Sequence, residues 1–64
     1  MKVRYDREVD ILYIEVTENK IEESDEDKPG VIIDYDKDGD IVGIEILQAS
    51  KKMSNPAKVE YEVA

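Results

Sequence analysis

The apolar residues of this chain recur at every second position, in short runs separated by clusters of charge. That period sends alternate side chains to opposite faces of an extended backbone, and it does not build the single stripe of an amphipathic helix. Val3 and Tyr5 share one face of a first strand over about residues 2–6. In a second, over about 10–17, Leu12, Ile14 and Val16 lie on one side and Ile11, Tyr13 and Glu15 on the other. A third covers about 31–36 and a fourth about 40–47, where Val42, Ile44 and Ile46 align. Between these two, Lys37-Asp38-Gly39-Asp40 has the composition of a tight hairpin turn, with Gly39 free to take positive φ. Glu22-Glu23-Ser24-Asp25-Glu26-Asp27 reads either as a loop or as an edge strand whose charges block unwanted pairing.

The alternation stops at Leu47. Ile46, Ala49, Ser50 and Met53 fall at helical spacing and Asn55-Pro56 ends the segment, so a short helix is predicted over about 47–53. Residues 54–64 form an extension in which Val59, Tyr61 and Val63 alternate again, predicting a strand over 58–63. That strand pairs with an open sheet edge of its own chain or of a second chain, or else it frays. The fold class is mainly β, α+β only by virtue of the helix. The architecture expected is an antiparallel β-meander of four to five strands, with one helix near the C-terminus and an added C-terminal strand. Residues 1–64 make one domain, with its core in 1–53.

A chain of 64 residues is near the lower size limit for unaided folding. It contains no cysteine and no histidine, so it lacks disulfides, thiolate metal sites and the usual zinc ligands. Apolar burial must therefore hold the fold. The second face is not wholly polar, because Ile11, Tyr13, Ile32 and Ile41 project there, and one short helix cannot cover both faces. A dimer or larger assembly of the chain is expected. Tyr13, Ile32, Val59, Tyr61 and Val63 are the candidate interface residues.

Seventeen acids against nine bases leave a net charge of −8. Such a surface repels phosphates, so neither nucleic acid nor an anionic membrane is an expected partner. No apolar run approaches the ~20 residues of a membrane span, and Met1 leads into a strand pattern instead of a signal peptide. These features, with the absence of cysteine, fit a cytoplasmic protein. Abundant Glu, Asp, Lys and Ile fits a thermophilic source.

One stretch matches a chemical motif as text. Asp34 to Glu45 satisfies a twelve-residue calcium loop, with Asp34, Asp36, Asp38 and Asp40 as early ligands, Gly39 at the sharp turn and Glu45 at the last place. The flanks contradict it. Pro29-Gly30-Val31-Ile32-Ile33 cannot form the incoming helix, and on a hairpin the pleat aims Asp34 and Glu45 away from the turn. The expectation is a solvated bulged turn with no metal or other cofactor. Asp6, Asp10 and Tyr13 could in principle do acid–base work, but a turn offers no burial to raise a carboxyl pKa. Ser24, Ser50 and Ser54 have no histidine to activate them.

Val3-x-Tyr5-Asp6 followed by Asp10-x-Leu12-Tyr13-Ile14 resembles the opening of a prokaryotic family, domain-of-unknown-function family 2283. Pro29-Gly30-Val31-Ile32, Asp34-Tyr35-Asp36, Asp38-Gly39 and Val42-Gly43-Ile44-Glu45-Ile46-Leu47 with Ala49-Ser50 extend the resemblance to about residue 50. Where Gln48 stands, the family pattern is usually acidic. The resemblance implies a compact β-rich domain without an assigned activity, and compatibility with a toxin–antitoxin or other partner-binding role. From the net charge of −8, the incompletely covered sheet and the available edge strand, the function expected is a non-catalytic protein-interaction module, with the acidic partner of a basic toxin-like protein as its form. The alternatives are a self-assembling structural domain and, behind it, a carboxylate-based enzyme.

Overall fold

A computed structural model describes all residues, Met1–Ala64. Five strands form one antiparallel sheet: β1 (Lys2–Asp6), β2 (Ile11–Glu15), β3 (Glu23–Lys28), β4 (Val31–Tyr35) and β5 (Ile41–Leu47). A single helical turn, α1 (Ala49–Lys52), follows. The acidic stretch is therefore an edge strand and not a loop, and all six residues of β3 are exposed. The strands lie in the order β1-β2-β5-β4-β3. Antiparallel pairing is as expected, but the sheet is not one continuous meander. The β1–β2 hairpin sits beside β5, and the chain then crosses the end of the sheet to start β3 at the far edge.

That crossing, residues 16–22, is pinned at three places. The N–H groups of Val16 and Thr17 both donate to the Val42 carbonyl (2.7 and 3.2 Å), and that of Glu22 donates to the Tyr35 carbonyl (2.8 Å). Between them the Asn19 Nδ2 donates to an Asp36 oxygen at 3.0 Å. Two further turns rest on glycine. Gly30, at φ 80°, follows Pro29 in the two-residue link from β3 to β4 and supplies the positive φ that the turn needs. Gly39, at φ 81°, closes the β4–β5 turn.

Register sorts the side chains into rows. Val3, Ile14, Ile44, Ile33 and Asp25 stand opposite one another across one face, and Tyr5, Leu12, Ile46, Val31 and Lys28 form the next row of that face. On the other face run Arg4, Tyr13, Glu45, Ile32 and Glu26, then Lys2, Glu15, Gly43, Asp34 and Ser24. The first face is apolar across β1, β2, β5 and β4 and carries charge only on β3. Two bulges interrupt the ladders, with Asp27 the extra residue on β3 and Val42 the extra residue on β5. A bulge on an edge strand twists it away from regular pairing.

α1 is clipped to the end of the sheet. The Ala49 N–H donates to the Asp10 carbonyl (3.0 Å), and Lys52 Nζ donates to the Leu47 carbonyl at 2.6 Å. Ala49 is fully buried there. The expected strand over 58–63 does not form within the single chain: beyond Met53 there is only a turn at Pro56–Ala57, and residues 57–64 are exposed. The physical reason lies at the open edges. Along the β3 edge the tail would set Glu60 and Glu62 against that strand's own acids.

An open apolar face and two tyrosine–aspartate–serine centres

No large side chain is fully buried; the apolar residues that are buried are Leu12, Val42 and Ala49. The other apolar residues of the two rows, Ile14, Ile33, Ile44, Ile46 and Val31, are only half-buried, and Val3 is 37 % exposed. One short helix at the sheet end cannot cover two rows of five residues. The apolar face is thus incompletely covered, and Ile14, Ile33 and Ile44 line its centre. The interface candidates named from sequence lie elsewhere. Tyr13 and Ile32 sit half-buried on the mixed face, while Val59, Tyr61 and Val63 lie in the exposed tail.

Two carboxylates are held by hydroxyls. Asp10 adopts φ 56° in the β1–β2 turn, a left-handed conformation that Asp tolerates better than most residues. Its Oδ1 accepts from the Tyr5 hydroxyl (2.6 Å) and the Ser50 N–H (3.0 Å), and its Oδ2 from the Ser50 hydroxyl (2.6 Å). The Ser50 and Tyr5 hydrogen bonds hold its carboxyl below the usual range, and bonding to Asp10 raises the Tyr5 phenol. Asp10 thereby joins three separate pieces of chain: β1, the turn and α1.

The second centre crosses the mixed face. Tyr13 leans over Gly43, where any Cβ would collide with its phenol oxygen, and donates to Asp34 Oδ2 at 3.3 Å. The Ser24 hydroxyl donates to Asp34 Oδ1 at 2.6 Å. Asp34 is only 3 % exposed, covered by the ring that glycine admits. Burial, with Asp34 beside it, raises the Tyr13 phenol.

The third carboxylate of note organises a turn. Asp36 Oδ1 accepts from the N–H groups of Asp38 (2.9 Å) and Asp40 (3.0 Å), while Oδ2 accepts from Asn19. The Asp40 amide and Asn19 lead the contacts that depress its pKa. Of the calcium-loop candidates, only Asp36, Asp38 and Asp40 place carboxylate oxygens within 4.8 Å of one another. Asp34 is turned to Tyr13 and Ser24, and Glu45 lies in the row between Tyr13 and Ile32. The strand pleat, as expected, takes the first and last places of the motif away from the turn.

Sequence reasoning paired Asp6, Asp10 and Tyr13, and the structure separates them. Asp6 accepts from the Glu8 N–H at 3.0 Å, as a turn residue does, while Asp10 and Tyr13 serve different centres. The partners missed were Tyr5, Ser50, Ser24 and Asn19. Only one of these contacts left a sequence signal: a glycine inside a strand, Gly43, often marks a position where an aromatic ring lies across the backbone.

The family model described as Protein of unknown function (DUF2283) matches residues 2–50. The chain belongs to this family. The DUF2283 stretch takes in all five strands and both tyrosine–aspartate–serine centres, ending on Ser50, whose side chain closes the first of them. The exposed tail lies outside it. No curated protein and no solved structure gives a match. No helix is long and apolar enough to cross a membrane.

Proposed function

We propose that this DUF2283 domain is a non-catalytic protein-interaction module whose working surface is the open apolar face of its sheet. The observation that carries the reading is the incomplete burial of Ile14, Ile33, Ile44, Ile46 and Val31 in two adjacent rows. A contiguous apolar patch of this kind marks a site of association on a soluble domain. The polar centres support the same reading. In each, a carboxylate accepts from a tyrosine and a serine, and the chain has no imidazole to take a proton from either hydroxyl. The raised tyrosines stay protonated near neutrality and the depressed Asp10 is a poor base. Such centres lock strands together.

A specific feature favours a second reading, a basic protein as partner. β3 is exposed along its whole length, and the two ion pairs of the chain are local ones, Lys20–Glu22 (3.9 Å) and Lys58–Glu60 (3.1 Å). The acids Glu23, Asp25, Glu26 and Asp27 are left without a cation of their own. A basic partner steered to this edge would bind faster at low salt, and its affinity would fall as salt rises.

Affinity capture of the tagged chain at low salt, alongside an Ile44→Lys variant, tests the module. Loss of every stoichiometric companion, homologous or foreign, in the variant is the expected outcome. Companions retained unchanged by the variant would place the working surface elsewhere.

A further inference from the structure

We infer that the occupant of the open apolar face is a second copy of this chain, packed face to face to close a two-layer β-sandwich. The inference rests on the reading of that face as the docking surface, and goes beyond it by naming what docks.

Three observations carry it. The chain of 7.3 kDa exposes 5132 Å². A folded monomer of this mass exposes about 4,200 Å² by the usual scaling of surface with mass. The excess is comparable to the roughly 800 Å² that each partner buries in a standard interface. Residues 57–64, exposed throughout, supply part of that excess.

The second observation is where the charge lies. The rows Val3-Ile14-Ile44-Ile33 and Tyr5-Leu12-Ile46-Val31 hold no ionisable group but the Tyr5 hydroxyl, which is engaged by Asp10. Asp25 and Lys28 sit at the β3 rim. Two copies, each with a net charge of −8, can therefore meet through this face without placing carboxylates inside the contact. The mixed face cannot do so: Arg4, Glu45, Glu26, Lys2 and Glu15 stand in its rows.

The third is the missing core. Six of 64 residues are buried, and two of those are aspartates. A second sheet about 10 Å away turns the half-buried isoleucines into the inner layer of a sandwich.

Charge also gives the inference a signature. Because both copies are acidic, screening weakens their repulsion and the dimer tightens as salt rises. A basic partner on the same face would show the opposite trend.

The test is sedimentation equilibrium of the purified chain at low and high salt, with Ile44→Lys and, on the opposite face, Ile32→Lys. Circular dichroism checks that each variant is folded. The expected result is a dimer that tightens with salt, survives Ile32→Lys and loses at least tenfold in affinity in Ile44→Lys. A monomer at all concentrations whose face still binds an apolar dye would overturn the second copy as occupant and leave the docking face standing. A dimer indifferent to Ile44→Lys but broken by Ile32→Lys would overturn both. Should Ile44→Lys fail to fold, the unsubstituted chain decides: a melting temperature that rises with protein concentration supports the dimer, and one independent of concentration overturns it.

Discussion

Gly43 and Tyr13 make the most exacting residue pair in the sheet. The glycine leaves room for the ring, and the ring covers Asp34. Gly43→Ala must displace the phenol, and overpacking of this kind costs about 1–3 kcal/mol. Tyr13→Phe removes only the hydrogen bond to Asp34, which keeps Ser24, and should cost about 0.5–1.5 kcal/mol. Urea unfolding of the two variants should rank them in that order. An unperturbed Gly43→Ala would mean that the ring does not lie over the glycine. Asp10 and Asp36 have pKa values below their unfolded range, so each contributes stability above about pH 4 that is lost as pH falls through its folded value. Acid unfolding should therefore set in below about pH 4, and Asp36→Asn should make the stability curve shallower there. A slope unchanged by that substitution would mean that Asp36 has no part in the acid transition. Of these contacts, only the glycine is marked in the sequence. Tyr5 meets Asp10 across a local hairpin turn, but Ser50 lies 40 positions from Asp10 and Tyr13 lies 21 from Asp34, and only tertiary pairing brings these together.

Among the elements, the strands that bury one face were legible, because a buried face imposes strict alternation. The register of β2 against β5 was not. Nothing local marks Ile14 as the partner of Ile44 when Ile33 and Val42 have the same character. β3 was ambiguous for a related reason: an edge strand exposed on both faces has no apolar period to read. Its acids still have a measurable job. Replacing Glu23, Asp25 and Asp27 with threonine leaves strand propensity intact and removes the charges that discourage pairing with another copy, so the variant should aggregate more readily. Turbidity during heating measures this, and unchanged solubility would assign protection to the bulge at Asp27 instead. The alternation of the tail finds no partner within one chain. Val59, Tyr61 and Val63 repeat perfectly, yet no edge of the same chain receives them. In a face-to-face dimer, deleting residues 57–64 should leave the dimer intact. A monomeric product would transfer the interface to the tail.

For the molecule as a whole, an acidic single sheet with a one-turn helix is short of partners for both its charge and its apolar surface. The charge imbalance is legible in composition alone, and the apolar one follows from setting two sheet faces against a single short helix. Which face stays open is not legible in the sequence, since that depends on where α1 docks. At this scale the melting temperature should rise as salt is added from low concentration, because screening relieves repulsion both within a chain and between two acidic copies. A falling melting temperature would show that attractive ion pairs dominate.

The central claim is that the row of Ile14, Ile33 and Ile44 is in contact with another molecule. Isotope-filtered nuclear Overhauser spectroscopy on a mixture of isoleucine-methyl-labelled and unlabelled chains measures this directly. Intermolecular cross-peaks to the methyls of Ile14, Ile33 and Ile44, with none to Ile11 or Ile32, are expected. Cross-peaks confined to Ile11 and Ile32, or their complete absence at concentrations where the chain is otherwise folded, would contradict it.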